Sequence, residues 1–332
     1  MSYVVQTETL EGLQPEWEAL LSQAADPHVF FHPSFQRAWL DVFPDGGEPL
    51  ILSVREGRRL VGVAPLLREG RRLSFLGDHE VFDYMDFVAA PGQELPFFAY
   101  LLRALADEEW DEVDLRGLAD DSPTLRFLPA AAADLGLHLS TELEAVAPGV
   151  ELPGSWEAYL ESLAKKDRHE LRRKMRRLSA AVGETRLRDL RRPQDVSAAL
   201  DDFFRLHTAS RGDKAQFMTE RMETFFRCMA AALSEKGLVR LFMMDIDNRR
   251  AAAVLCFDCC RQLHLYNSGF DPDLSGLSVG LISKVLCLRA AIDEGKLRLD
   301  FMRGGEPYKY DLGGRDVEIF RCRLSRKEDE KP

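Results

Sequence analysis

The densest group of reactive side chains in this 332-residue chain is Asp300-Phe301-Met302-Arg303-Gly304-Gly305-Glu306-Pro307-Tyr308-Lys309-Tyr310. Five ionisable side chains occupy the eight residues from Arg303 to Tyr310. Such a set can protonate a leaving group, stabilise an oxyanion or accept an amine proton, although a solvated turn has the same composition. A second group runs Tyr266-Asn267-Ser268-Gly269-Phe270-Asp271-Pro272-Asp273-Leu274-Ser275-Gly276-Leu277-Ser278-Val279-Gly280. It passes from a strand pattern through a Gly- and Ser-rich loop into a helix pattern. The unpaired N–H groups and positive dipole end of a helix start can hold a phosphate. Gly276 and Gly280 would let the backbone approach such a ligand, but Ser and Gly also begin helices as caps.

Three isolated candidates accompany these groups. His207 lies on an apolar stripe with Val196, Leu200 and Phe203, and Arg211 follows one turn later. The pair could reach an anionic group, whereas a single His on such a stripe is more often a core residue. In the first half, Asp83 and Asp86 follow a strand pattern, where Asp also serves as a turn former.

Positioning these residues requires sheets, and the chain spells the same elements twice, about 190 residues apart. Pro49–Val54, Leu60–Leu67 and Leu73–Gly77 read as three strands, as do Val239–Ile246, Ala251–Phe257 and Leu263–Gly269. A helix pattern follows each set (Leu95–Ala106 and Ser278–Glu294), then a strand ending in Arg-Gly at Arg116-Gly117 or Arg303-Gly304. Strands joined through helices imply a mixed α/β sheet in each half. Pro148-Gly149 and Pro153-Gly154 punctuate the boundary, so the expected domains are 1–150 and 151–332. Further helices are expected around Trp17, Leu20 and Leu21, around Phe35, Trp39 and Val42, and along Leu160, Leu163, Leu171, Met175 and Leu178.

The last of these helices holds a charge anomaly. The chain has 44 Lys and Arg against 55 Asp and Glu, a formal charge of −11. Lys165 to Arg177 alone carries eight basic and two acidic residues, or +6, leaving −17 for the remainder. Overall acidity excludes a general nucleic-acid coat, and DNA is not an expected partner. With 45% hydrophobic and 30% charged residues, the composition excludes a disordered chain and suffices for two packed domains. No window approaches the roughly 18 apolar residues of a spanning helix, no secretory signal is expected, and the expected location is cytoplasmic. Cys256 and Cys259 form a C-x-x-C, but Cys256 lies in a buried strand pattern and no second pair completes a zinc site. No metal is expected.

Taken in order, Leu171-Arg172-Arg173-Lys174, Leu206-His207, Tyr266 to Asp271, the Ser-Gly loop and Asp300 to Lys309 resemble a known family. It is the GNAT-fold acetyltransferases of the CelD type, relatives of the Fem peptidoglycan aminoacyltransferases. Phe31-His32-Pro33-Ser34-Phe35, Ala64-Pro65-Leu66 and Asp83-Tyr84-Met85-Asp86 extend the resemblance into the first half. Its most specific element is Arg303, Gly304, Glu306, Tyr308 and Lys309. The resemblance implies two tandem GNAT-like domains, each a mixed, mostly antiparallel sheet flanked by helices. It also implies direct acyl transfer from acetyl-CoA or another acyl-CoA to the amine of a small-molecule, sugar or envelope-precursor acceptor, without a covalent Cys intermediate.

By motif position, Tyr266, Asn267, Ser268, Ser275, Gly276, Ser278, Val279 and Gly280 would hold the donor. Ser275 and Ser278 stand where the usual pattern has a basic residue and its first glycine. Lys309 would stabilise the oxyanion, Tyr308 would protonate the leaving group, and Glu306 or Asp86 would take the amine proton. Asp83, His207, Arg211 and Arg303 would bind the acceptor. Two alternatives stay open: an aminoacyl-tRNA-dependent transferase of the Fem kind, and an idle GNAT scaffold in envelope polysaccharide assembly. The segment Lys165–Arg177 would meet an anionic partner, a carrier protein or tRNA, or lie on an anionic membrane surface.

Overall fold

Thr9 opens the first helix by accepting a hydrogen bond from Gly12 N at 3.1 Å, the usual way a side chain satisfies an orphan N–H. The computed structural model describes residues 2–24 and 28–326. It divides into two units, Met1–Val146 with Val317–Pro332, and Ala147–Asp316.

In the first unit the elements are β1 (Tyr3–Glu8), α1 (Leu10–Leu21), α2 (Pro33–Val42), β2 (Glu48–Glu56), β3 (Arg59–Glu69), β4 (Arg72–Phe75), β5 (Val88–Ala89), α3 (Glu94–Ala106), β6 (Glu112–Ala119), α4 (Pro123–Asp134) and the start of β7 (His138–Glu151). Strands β1 to β4 pair antiparallel in sequence order, and β4 then pairs parallel with β6. Helix α3 buries Phe97, Phe98, Leu101, Leu102 and Leu105, a one-face pattern of period 3.6.

The second unit holds α5 (Trp156–Ser162), α6 (Lys165–Ala181), β8 (Thr185–Leu190), α7 (Pro193–Ser210), α8 (Gly212–Phe217), α9 (Glu220–Ser234), β9 (Val239–Ile246), β10 (Arg249–Cys259), β11 (Gln262–Phe270), α10 (Val279–Asp293), β12 (Arg298–Asp300) and α11 (Pro307–Asp311). Its sheet repeats the first: β8 to β11 pair antiparallel in order and β11 pairs parallel with β12. The end of β7, Gly149–Glu151, closes it against β12. Each unit is thus a mixed, mostly antiparallel sheet with helices, the α/β class read from the sequence. Helix α10 buries residues on all sides, among them Val279, Ile282, Val285, Leu288 and Ala291, because it lies between the sheet and helices α5 and α6. A helix enclosed in this way has no polar face to keep.

Two expectations differ from the structure. The last strand, β13 (Arg315–Ser325), does not stay with residues 151–316: it pairs with β6, from Ile319–Ala119 to Ser325–Glu112. The leucines from Leu160 to Leu178 do not form one helix. Leu163 takes an extended ψ of 147°, so α5 ends before the basic helix begins. Leu160 and Leu163 nevertheless join the same core cluster as Leu171.

Candidate active site

Parallel pairing of β11 with β12 covers three residues on each strand, Gln262–His264 against Arg298–Asp300. Strand β11 continues to Phe270 bonded to β10 on one side, with no partner strand on the other side among the described residues. Backbone polar groups there are available to a ligand, since a sheet edge is a row of unmet donors and acceptors. Lys214 Nζ donates to one of them, the carbonyl of Ser268.

A bulge re-aims the side chains along this edge. Leu255 pairs with Asn267 and Cys256 with Leu265, leaving Tyr266 as the extra residue. Leu265 enters the core with Cys256, Val285 and Leu288. Strict alternation would send Asn267 to the same face as Leu265. The bulge instead turns it to α7, where His207 Nε2 lies 3.1 Å from Asn267 Oδ1. Tyr266 takes that face too, with its ring centroid 5.7 Å from Phe226 and 4.8 Å from Phe257. Gly269 lets α7 come this close: a Cβ there would lie 2.2 Å from His207 N.

An amide oxygen only accepts, so His207 is the Nε2–H tautomer, and its Nδ1 is buried without a hydrogen-bond partner. Burial, then repulsion from Lys214, pushes His207 down to about 4. It is a neutral core histidine at physiological pH. Helix α7 stops at Ser210, so Arg211 leaves the expected stripe and forks onto Asp213 at 3.0 and 2.7 Å.

From Pro272 to Leu277 the Ser-Gly loop forms a short 3-10 turn, and Ser278 takes the left-handed conformation (φ 59°, ψ 33°) before α10 begins. Ser275 and Gly276 are exposed, and a Cβ at Gly276 would lie 3.7 Å from Arg177 Nη2 of α6. Gly280 plays a different part from the one its position implied. A Cβ there would lie 2.7 Å from Phe270, so the missing side chain admits a core ring, not a ligand.

Lys309, on α11, is 1% exposed and stands inside the loop before it. Its ammonium donates to the carbonyls of Met302, Arg303 and Gly304 at 2.8, 3.0 and 2.8 Å. Glu306 Oε2 forms an ion pair with it at 2.8 Å, without hydrogen-bond alignment. With three protons spent on three carbonyls, Lys309 clasps the loop and does not aim its charge into open space. Burial pushes Glu306 up, but the adjacent Lys309 ammonium outweighs it and holds the carboxyl below the usual range. Tyr308 is half-buried, its ring edge-on to Phe301 at 6.2 Å, and burial raises its hydroxyl. Arg303 is half-buried, and Asp300 Oδ1 accepts from Met302 N at 2.6 Å at the loop's start.

Two lysines that pattern reading passed over complete this group. Lys284, on α10, donates to Gly280 O at 2.8 Å, and its nitrogen lies 5.1 Å from the Tyr308 ring centre. Burial, then repulsion from Lys214, lowers it to about 7. Burial, then Arg211, lowers Lys214 to about 8. The charge of Glu306 acts on both but does not offset these effects. One signal for Lys284 was present in the sequence: it is the single charged residue between Val279 and Leu288. Lys214 carried none.

In the first unit, Asp86 is buried and structural. It accepts from Ser122 Oγ at 2.5 Å, from Thr124 Oγ1 and from Phe87 N at 2.7 Å, and Ser122 in turn caps α4. Burial outweighs these bonds and raises it to about 6. Asp83 is half-buried nearby in sequence. Parallel pairing of β4 with β6 is equally short, Arg72–Ser74 against Glu112–Asp114. A cavity of about 250 Å³ opens beside it, lined by Trp39, Ser74, Met85, Asp114 and Arg116 among others. Two of its charges are matched: Asp114 accepts from Arg321 at 2.6 and 2.8 Å, and Arg116 pairs with Glu144 at 2.5 Å.

Residues 165–310 match the family model of the acetyltransferase (GNAT) domain. The crystal structure of FemX superposes with a TM-score of 0.63 at 12% identity, covering 96% of each chain. A conserved protein of unknown function from Bacteroides thetaiotaomicron gives 0.63 at 9% identity, covering 98% of this chain and 100% of its own. A tandem GNAT protein from the clavulanic acid biosynthesis pathway gives 0.51 at 12%, covering 99% and 100%. At these identities the likeness is one of fold. A search of curated proteins finds no sequence match. Residues 165–310 are therefore a GNAT acetyltransferase domain, in a chain whose fold is shared with FemX and with a tandem GNAT protein.

Proposed function

We propose that this protein is an acyltransferase that moves an acyl group, acetyl in the simplest case, from acyl-CoA to the amine of a small-molecule, sugar or envelope-precursor acceptor. The observation that carries this reading is the open edge of β11 from Leu265 to Phe270, which runs directly into the loop and first turn of α10. An extended amide-bearing chain can bond to such an edge as an added strand would. The orphan N–H groups of Val279 and Gly280 and the exposed Arg177 suit the phosphates at its far end. In this reading Tyr308 protonates the leaving sulfur, and Lys309 is a positioning residue that shapes the loop bearing Arg303 and Glu306. Purified protein given acetyl-CoA or longer acyl-CoAs with a panel of primary amines should release free thiol. Absence of both binding and release for every acyl-CoA refutes the CoA donor.

One observation favours an aminoacyl-tRNA donor. Helix α6 exposes Lys165, Lys166, Arg172, Arg176 and Arg177 without an ion-pair partner among the described residues, a row suited to phosphates. Changing Arg172, Arg173 and Arg176 to Glu should weaken aminoacyl-tRNA binding and flatten its salt dependence. Unchanged binding rules the tRNA version out.

A further inference from the structure

Transfer to an amine requires a group that removes a proton from the attacking nitrogen, and the expected bases are poorly placed for it. Asp86 spends its carboxyl oxygens on Ser122, Thr124 and Phe87 N. Glu306 is bound to Lys309 at 2.8 Å and held in its weakly basic form. His207 already donates through Nε2 to Asn267, and its other nitrogen is sealed in the core. Lys284 differs from all three. Its chain rises from the second turn of α10, immediately after the proposed donor turn, and its nitrogen faces the Tyr308 ring. Carbonyl Gly280 O is its sole hydrogen-bond partner among the described residues, and one N–H suffices for that contact.

We propose that Lys284 is a further catalytic residue of the second unit, a neutral amine that accepts the proton released by the attacking acceptor nitrogen. This inference rests on the acyl-transfer reading above. The groups that bear on Lys284 are Lys214 from α8, Glu306 from the loop, Tyr308 from α11, Cys256 from β10 and Cys287 on its own helix. Lys214 and the surrounding apolar side chains disfavour its charge, and with an apparent value of about 7 a large share is unprotonated at neutral pH. The proton count closes. The acceptor nitrogen bonds to the acyl carbon, its N–H proton passes to Lys284, and the carbonyl electrons move to oxygen. On collapse the bond to the leaving sulfur or oxygen breaks, Tyr308 protonates that atom, and Lys284 returns its proton to Tyr308.

The test uses the full chain with the acyl-CoA and amine that release thiol. Wild-type kcat/KM should climb with pH and level off above about 7, since the base must be unprotonated. Lys284→Gln and Lys284→Arg should each lower kcat/KM by roughly 100-fold or more and remove that limb, with melting temperatures confirming the fold. Arginine stays charged and gives up no proton at these pH values, so it cannot act as the base. A Lys284→Arg enzyme with wild-type rate and pH profile overturns the proposal while leaving acyl transfer intact. Wild-type protein that consumes no donor defeats the acyl-transfer reading itself. Acetic anhydride labelling, mapped by peptide mass spectrometry, gives an independent measure. Lys284 should be half-labelled near pH 7, and a midpoint near the ordinary lysine value of about 10.4 overturns its assignment.

Discussion

Replacing Lys309 by Met separates a clasp from an oxyanion donor. The residue is 1% exposed and holds three carbonyls within 3.0 Å, so the variant leaves one buried and two part-buried acceptors without their donor. Hydrogen bonds to a charged group contribute about 1.5–3 kcal/mol each, and they do not add fully because one ammonium makes all three. The Glu306 side chain is 45% exposed, so water replaces much of what that carboxylate loses. A total near 3–5 kcal/mol follows, in the range for breaking a buried charged group's contacts. At about 2–4 °C per kcal/mol for a unit of this size, the melting temperature should fall by roughly 6–20 °C. Thermal unfolding of the full chain followed by circular dichroism reads this directly. Loss of activity alone does not discriminate, because both roles predict it. A Lys309→Met protein that melts within about 2 °C of wild type yet has lost turnover refutes the clasp and restores the oxyanion role.

Three further outcomes follow from the same geometry. Asp86 titrates at about 6 when folded against 3.8 ordinarily, so the folded state holds a proton that the unfolded chain releases. Its contribution is therefore full in acid and is lost as pH rises from about 4 to about 6, by on the order of 3 kcal/mol. Urea melts of wild type and Asp86→Asn across that window should show this trend, and a pH-independent difference between them contradicts it. Gly269→Ala places a methyl 2.2 Å from the His207 backbone and should cost about 3 kcal/mol or more; wild-type stability in chemical denaturation would contradict the close approach of α7. Ser278→Gly relieves a left-handed serine (φ 59°) and should raise stability by about 1 kcal/mol, or 2–4 °C. An unchanged or lower melting temperature shows that the serine side chain is needed there.

Both sheets were legible because their signal is local. Runs such as Ala251–Phe257, and Val239–Ile246 apart from Arg240 and Asp245, are apolar since both faces of these strands are covered, and the intervening turns are polar. The helix stripes of α3 and α7 were legible for the same reason. Edge strands β1 and β8 carried too little apolar pattern to be seen: most of their residues are half-buried or exposed.

The sequence by itself determined the fold class, the position of the Ser-Gly loop at a strand-to-helix junction, and the concentration of ionisable groups from Arg303 to Tyr310. These depend on residue type and spacing along the chain, which local sterics and burial convert into elements. Tertiary structure decided what each group is able to do. The β11 bulge turns Asn267 toward His207, the Met302–Gly304 carbonyls engage Lys309, and Lys284 meets Lys214 and Tyr308 across 70 and 24 residues of chain. A side chain's proton affinity and the direction of its charge are set by neighbours brought together in space, and no spacing rule along the chain records them.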